Sequence, residues 1–227
     1  MTDTELEVKT TASSKAAGFL EKNKKVLVTV LVAAVVVLVA YTVAVSVGAK
    51  SNAKSLQKID EISYALTNGS ASLSDDELAS RRTKALEDLS AFVKKSGVTG
   101  VRANLLAADV AYQAGNKEDA IAYWKAAAKA GKKAYTAPIA YFNIGSCYED
   151  LDKLDDAAAN YKLAADDKNF AMRAHAAFNY GRVLEAQGKV TEAVETYTKL
   201  NDELPDDSFA KLAKTRIILL QLEGKTE

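Results

Sequence analysis

The chain has 227 residues, and its 30 lysine and arginine residues balance its 30 aspartate and glutamate residues. This balance gives no whole-chain electrostatic field that would favour binding of nucleic acid. One cysteine, Cys147, excludes an intramolecular disulfide, and one histidine, His175, excludes metal sites and catalytic triads built on several histidines. The two prolines and the abundance of Ala, Leu, Glu and Lys predict a helical chain.

Residues 26–47 form an uninterrupted apolar segment, VLVTVLVAAVVVLVAYTVAVSV. No charge occurs in it, and a helix of this length covers a hydrocarbon core of about 30 Å. We therefore predict a short tail over residues 1–25 and a transmembrane helix over residues 26–48. A cleavable signal peptide is the alternative, because Ser46-Val47-Gly48 is small enough to be cleaved, but signal peptides have apolar cores of about 7–15 residues.

The lysines around this segment and the size of its flanking parts predict its orientation. Four lysines precede the segment and three follow it: Lys15, Lys22, Lys24 and Lys25, then Lys50, Lys54 and Lys58. This bias of one lysine favours a cytoplasmic N-terminus. A short tail with a large domain behind the span fits the same orientation, which puts residues 50–227 outside the cytoplasm.

Small and hydroxyl residues within the span have predicted roles. Ala40, Ala44 and Gly48 recur every four residues, so this stripe can let another membrane helix approach closely. The alternative is that alanine is simply common in such helices. Three hydroxyl side chains are expected to bond backbone carbonyls of their own helix: Thr29, Thr42 and Ser46.

A connector and a helical pair are predicted over residues 49–100. The apolar spacing of residues 55–68 indicates one amphipathic helix, which Asn68-Gly69 ends as a C-cap. Ser74-Asp75-Asp76-Glu77 has the spacing of a capping box and begins a second helix, which is expected to run to about Lys95.

Residues 101–206 contain a periodic pattern of large and small side chains. Starts at Val101, Pro138 and Ala174 are 37 and 36 residues apart. Counted from these starts, position 8 is small, position 20 is alanine and position 24 is aromatic, as in Gly145, Ala157 and Tyr161 or in Gly181, Ala193 and Tyr197. The small residues are expected to let two helices touch, while the large ones fill the gaps around them.

This pattern resembles the tetratricopeptide repeat, a helix–turn–helix unit of 34 residues. The resemblance implies a helical-repeat solenoid. Together with the apolar segment it predicts an all-α fold, in which a single N-terminal transmembrane helix precedes the solenoid. Three repeats would occupy residues 101–206, and a capping helix would occupy residues 207–227. Neighbouring units must stack because none buries its apolar face alone.

The resemblance also implies a concave wall made by the first helix of each pair. Seven residues at wall positions are predicted to bind a partner: Arg102, Tyr112, Phe142, Asn143, Phe178, Asn179 and Arg182. The repeated Phe-Asn pairs would grip an extended or helical polypeptide, since an amide both donates to and accepts from a peptide backbone. Alternatively, the phenylalanines pack between units and the asparagines cap local carbonyls.

A carboxylate clamp of the co-chaperone kind is not expected on this wall. Leu105 and His175 stand where that clamp has lysines, Asp109 stands where it has an asparagine, and Asn179 stands where it has an arginine. Asn143 alone matches the clamp pattern. The predicted ligand is therefore a polypeptide segment rather than a C-terminal carboxylate.

No catalytic, metal-binding or cofactor motif is found, so the protein is predicted not to be an enzyme. The sequence has no G-x-S-x-G, H-E-x-x-H or P-loop pattern. Cys147 is predicted to be a small buried apolar residue. The acidic residues between Glu149 and Asp156 lack the glycine and closing glutamate of a calcium loop, and we interpret them as a polar turn between helices.

The layout of one anchor and a repeat domain resembles the bacterial ancillary SecYEG translocon subunit family (YfgM-like). That resemblance implies an inner-membrane protein whose repeats face the periplasm, with the translocon and membrane-anchored chaperones as partners. We therefore predict a membrane-tethered adaptor between protein export and periplasmic chaperones. An envelope-assembly scaffold and a regulatory subunit of a membrane enzyme are the alternatives, and the oligomeric state stays open.

Overall fold

The structure, a computed structural model, describes residues 3–131 and 136–225, with side chains from residue 17 onward. Within these ranges the secondary structure is helical, without strands. The chain divides into two compact units, Met1–Ala53 and Lys54–Glu227, which are described separately below.

Helix α1, Asp3–Thr67, supplies all of the described part of the first unit. It contains an 18-residue window of mean hydropathy 2.9, none of it buried, and is long and apolar enough to cross a membrane. The predicted boundaries at residues 25 and 48 fall inside this one helix, because no proline follows Gly48 to interrupt it. The hydroxyls donate to carbonyls within the helix as predicted: Thr29 to Lys25, Thr42 to Val39 and Ser46 to Thr42.

The second unit begins with the end of α1, a 3₁₀ turn at Ser70–Ser72 and helix α2, Asp75–Leu89. Gly69 has a φ of 66°, and the Ser74–Glu77 capping box is formed, so both predicted signals are confirmed. The expected end near Lys95 is wrong. The chain turns after Leu89, where the amides of Phe92 and Val93 bond its carbonyl. This turn packs both side chains onto the core formed by Ile59 and Leu89.

Three helical hairpins and one further helix follow. The hairpins pair α3 (Gly97–Gln113) with α4 (Lys117–Ala130), α5 (Thr136–Glu149) with α6 (Leu154–Ala165), and α7 (Arg173–Ala186) with α8 (Val190–Glu203), and α9 covers Ser208–Leu222. Every helix from α3 to α9 packs on its neighbours in the chain. This arrangement is an all-helical repeat solenoid, which is the predicted fold class.

The same repeat position ends the first helix of each hairpin in the left-handed region. Gly115 has a φ of 82° and Gly188 a φ of 75°, while Asp152 takes this place in the second hairpin with a φ of 55°. Aspartate is among the few side chains that adopt this conformation at modest cost. The three turns therefore share a left-handed residue at the same repeat position.

The hairpins close through the predicted contacts between small and large residues. A Cβ atom at Gly145 would lie 2.8 Å from Cδ1 of Tyr161, and one at Gly181 would lie 2.4 Å from Cε1 of Tyr197. Both tyrosines are almost fully buried. Glycine is required at both positions because any side chain would occupy the space of the ring.

Candidate protein-binding face

The seven residues predicted to bind a partner lie on the first helices of the hairpins. Helix α3 carries Arg102 and Tyr112, helix α5 carries Phe142 and Asn143, and helix α7 carries Phe178, Asn179 and Arg182. Their surroundings divide them into two groups. The phenylalanines, each followed in the chain by an asparagine, lie among aromatic rings, whereas the arginines and Tyr112 bond to neighbouring helices.

A continuous row of rings crosses α5, α7 and α9. The ring of His175 is 4.9 Å from that of Phe142 and stacks on Phe209 at 4.1 Å with an interplanar angle of 9°. Phe209 in turn lies 5.9 Å from Phe178. We call these four residues the aromatic row. It includes Phe209, which the repeat pattern could not identify because it follows the third unit.

The aromatic row is uncharged near neutral pH. Burial lowers the pKa of His175, and the nearby Arg182 guanidinium lowers it further, although Asp207 opposes this. A neutral imidazole stacked on phenylalanine behaves as part of an apolar surface. The row therefore offers ring surface rather than a charge to any ligand.

The two carboxamides beside this row have no hydrogen-bond partner within the described part of the chain. Asn143 is half-buried and Asn179 is 9% exposed. Asn104 of α3 behaves differently, because its Nδ2 donates to the carbonyls of Val93 and Gly100 at 2.8 Å each. Local capping thus describes Asn104, whereas the half-buried Asn143 and the buried Asn179 make no such bond to a described carbonyl.

The phenylalanines pack inside their own hairpins and also against the helix that follows each hairpin, and packing between units was the alternative interpretation for them. The ring of Phe142 lies 5.6 Å from that of Tyr161 and 6.3 Å from that of Phe170. The ring of Phe178 lies 5.7 Å from that of Tyr197. Both phenylalanines remain partly exposed, so they combine a packing role with a free edge.

The predicted charged and phenolic residues are bonded to other helices. Arg182 makes two bonds to the carboxylate of Glu149, at 2.5 and 2.7 Å. Arg102 lies 2.5 Å from Asp60 of α1, and the hydroxyl of Tyr112 donates to an Asp150 oxygen at 2.6 Å. These three side chains therefore connect consecutive units, and their polar groups are already occupied.

A repeated arrangement of three residues, which we call the glutamate joint, links successive units. Glu149 accepts from the hydroxyl of Tyr161 at 3.2 Å as well as from Arg182. Glu185 accepts in the same way from Tyr197, at 2.5 Å, and from Nε of Arg216 in α9, at 3.2 Å. In the sequence, the glutamate joint is indicated by a glutamate at repeat position 12 and a tyrosine 12 residues after it, and this pair occurs in the second and third units.

The second glutamate joint is electrostatically biased toward the ionised carboxylate. Burial disfavours the charge on Glu185, but the hydrogen bonds from Arg216 and Tyr197 outweigh burial and hold the pKa of this carboxyl below its usual value. Burial and the adjacent carboxylate raise the pKa of Tyr197. The proton therefore stays on the tyrosine, which acts as the donor.

The sole cysteine has the environment of a core residue, as predicted. Cys147 is fully buried, with its Sγ atom 3.5 Å from the carbonyl oxygen of Lys117. Burial raises the pKa of the thiol, which keeps it protonated and poorly nucleophilic. Among the described residues, no three or more His, Cys, Asp or Glu side chains are grouped to hold a metal ion.

Comparison with known proteins gives one family and several relatives. A family model described as a tetratricopeptide repeat-like domain matches residues 18–225. A TPR repeat-containing protein of Treponema pallidum (strain Nichols) is 28% identical over 139 residues, which are 61% of this chain and 58% of that protein. A TPR repeat-containing protein of Methanocaldococcus jannaschii is 39% identical over 66 residues, which are 28% of this chain and 21% of that protein.

The chain spans less than two thirds of the length of these two relatives. Among solved structures, the TPR-like repeats of a putative kinesin light chain from Podosopora anserina align with 77% of this chain and 89% of that chain. The TM-score is 0.56 at 10% sequence identity. At this identity the likeness establishes the helical-repeat fold alone.

Proposed function

The chain belongs to the tetratricopeptide repeat-like family, and from this premise we propose that it is an adaptor that binds polypeptides while anchored in a membrane. The observation that carries the binding proposal is the combination of the aromatic row with two unpaired carboxamides. Repeat domains of this kind are protein-interaction scaffolds, and a partly exposed ring beside a free amide suits an apolar side chain next to a peptide group.

In the proposed complex, a peptide segment lies along the face made by α5 and α7. Asn143 and Asn179 bond its backbone, while the edges of Phe142 and Phe178 contact its apolar side chains. Arg102, Tyr112 and Arg182 keep their bonds to other helices and hold the face in shape. We therefore assign partner contact to the amides and rings, and positioning to the other three residues.

The apolar part of α1 supports the membrane anchor. Its valine, leucine and alanine side chains are exposed along residues 26–47, which would be costly in water but favourable in lipid. Its hydroxyls bond within the helix, as a lipid environment requires. The N-terminus would lie in the cytoplasm and the repeats in the periplasm, with Ala40, Ala44 and Gly48 available to another membrane helix.

The proposed partners are the protein-export translocon and membrane-anchored periplasmic chaperones. This part of the proposal is supported by the resemblance in layout to the ancillary SecYEG translocon subunit family. The translocon would meet the anchor, and emerging polypeptides or their chaperones would meet the α5–α7 face. The anchor and the binding face can therefore be tested by separate experiments.

Removal of both free amides tests the binding face. We expect Asn143→Ala combined with Asn179→Ala to weaken capture of translocon and chaperone partners about tenfold, which corresponds to about 1.4 kcal/mol. Thermal stability should stay nearly unchanged, because these amides make no hydrogen bond within the described chain. Quantitative co-purification from membranes, together with a melting curve, measures both effects.

Asn160→Ala on α6 is the matched control, since its Nδ2 bonds Asp156 of its own helix and it lies outside the binding face. It should leave capture intact. If the double variant melts much earlier, the amides belong to the fold and the assignment is wrong. Unchanged capture by a stable double variant would also contradict the binding face.

Protease accessibility tests the anchor and its orientation. In intact cells the repeat domain should be protected, and osmotic opening of the outer envelope should make it accessible while residues 1–25 remain protected. Extraction with alkaline carbonate should leave the chain in the membrane fraction. A repeat domain that stays protected after opening would contradict the proposed orientation, and a chain released by carbonate would contradict the anchor.

A further inference from the structure

Helix α9 has apolar residues on two opposite sides. One side is buried against the third hairpin through Ala210, Ala213 and Leu220. On the other side four large apolar residues are exposed, at 49% for Leu212, 49% for Ile218, 39% for Leu219 and 79% for Leu222. Together with Thr215 they form the α9 outer stripe, because their spacing of three to four residues puts them on one helical face. A helix that is apolar on both sides is typical of one that is covered on both sides.

The preceding first helices show what normally covers this surface. Arg216 has the same place in its glutamate joint as Arg182 has in the joint before it. This register aligns Thr215 with Gly181, and Ile218 with Leu184. In α7 these positions are buried against α8, since Gly181 meets the Tyr197 ring and Leu184 is 2% exposed. The α9 outer stripe thus corresponds to the surface that a second helix covers in each hairpin.

We infer that the α9 outer stripe binds a second copy of this chain, with the two α9 helices antiparallel about a twofold axis that crosses the stripe at the level of residue 217 along the helix. In this register Leu212 meets Leu222 of the second copy, and Thr215 meets Leu219 of the second copy. The small Thr215 side chain lets the helices approach closely. Each α9 then covers, in the other copy, the surface that corresponds to the one a second helix covers in a hairpin, as in an isologous interface.

The charges at the ends of the stripe favour this arrangement. Lys211 is exposed near the start of α9, and Glu223 is exposed just after its end. In the antiparallel register they lie opposite each other at both ends of the interface. In a parallel pair Lys211 would instead lie opposite Lys211 of the second copy, and Glu223 opposite Glu223, so like charges would be close together. Glu223 also pairs with Lys225 at 2.7 Å within the chain, an exposed contact that leaves its carboxylate able to bond Lys211.

Sedimentation of the full chain in density-matched detergent tests this interface. We expect a reversible dimer whose dissociation constant rises at least about tenfold in Leu219→Lys. Leu163→Lys on α6 is the matched control, because Leu163 is 51% exposed and lies outside the stripe. Circular dichroism checks that both variants keep the parent's helical content. A parent that stays monomeric, or a Leu219→Lys variant that dimerises like the parent, would overturn the inference.

Charge reversal tests the antiparallel register. Lys211→Glu and Glu223→Lys should each weaken the dimer, and the variant with both changes should recover the parent's dissociation constant. A double variant no better than the single ones would overturn the register. The span could also dimerise the chain, so Gly48→Leu is measured beside these variants. Dimerisation lost in Gly48→Leu but retained in Leu219→Lys would assign the dimer to the membrane helix and overturn the inference.

Discussion

The first hairpin is joined to the second by different chemistry from that of the later joints. Tyr112 occupies the repeat position that Glu149 and Glu185 occupy in the following units, and its hydroxyl bonds Asp150. The later joints instead use a glutamate that accepts from a tyrosine and an arginine. At all three places the second helix of the hairpin packs on the helix that follows it. The stacking is therefore set by apolar side-chain size, while the polar bond across each joint can vary.

The polar groups of each joint determine how it depends on pH. Hydrogen bonding to Asp150 raises the pKa of Tyr112 to about 12, so this joint keeps its donor at any physiological pH. The joint at Glu185 depends on an ionised carboxylate and loses it in acid. The Glu185 carboxylate also forms an ion pair with Arg216, so this joint has a charge dependence that mutation of the arginine can test.

The largest expected effect comes from filling the space that the glycines leave for the tyrosine rings. Gly145→Leu and Gly181→Leu should each lower the free energy of unfolding by about 1–3 kcal/mol, because the new side chain overpacks the hairpin. Gly181→Leu should be the more harmful, since its Cβ atom would be only 2.4 Å from the ring of Tyr197. Urea denaturation followed by circular dichroism measures the change.

Ala186→Leu, at an exposed position of the same α7 helix, is the control and should change stability little. If Gly181→Leu is as stable as this control, glycine is not required for contact between the two helices. The first hairpin has Ala108 at the equivalent position, fully buried in the same cluster as Trp124. A methyl group is therefore accepted there, and the glycine requirement belongs to the second and third hairpins.

The stacking could be predicted from the sequence because it depends on residues close together in the chain. The positions of Gly145, Ala157 and Tyr161 fix a contact within one hairpin, and the Ser74 capping box is a local signal. The end of α2 was mispredicted because the packing of Phe92 onto the core of α1 and α3 stopped the helix early.

The candidate site was predicted less completely, because its bonds join distant residues. Arg182 and Glu149 are 33 residues apart, and Arg102 and Asp60 are 42 residues apart. The repeat positions correctly predicted which helix carries each arginine. They did not predict which carboxylate each arginine bonds. Phe209 and Arg216 lie beyond the third unit, where the repeat pattern no longer applied. The number of repeat units could therefore be predicted from the spacing of residues in the sequence. The polar contacts could be identified only in the folded structure.

The next largest effect should follow from breaking a glutamate joint, and it should differ between the two. Arg216→Ala leaves the carboxylate of Glu185, whose side chain is 12% exposed, without its cation, and should cost about 1–3 kcal/mol. Arg182→Ala should cost about 0.5–1 kcal/mol, because the Glu149 side chain is 25% exposed and water can replace the arginine in part. Chemical denaturation at about pH 7 measures both.

The difference between Arg216→Ala and the parent should shrink in acid. The pKa of Glu185 is lowered in the folded chain, so its stabilisation is present above the unfolded value of 4.5 and is lost as the pH falls through the folded value. The same denaturation at about pH 4 and below should show the two proteins converging. A constant difference across this range would mean that the carboxylate charge is not what Arg216 stabilises.

The loss of one hydroxyl compares the two kinds of joint directly, and at Tyr112 it should give the smallest expected effect. Tyr197→Phe removes the donor to Glu185 inside the core and should cost about 1–1.5 kcal/mol, since a bond to a charged acceptor in a buried place is lost. Tyr112→Phe removes the donor to Asp150 at an exposed place and should cost at most about 0.5 kcal/mol, because water replaces the hydroxyl. Thermal and urea denaturation of the two variants give the comparison. Equal losses would mean that burial does not distinguish the joints, and a larger loss for Tyr112→Phe would reverse the order argued above.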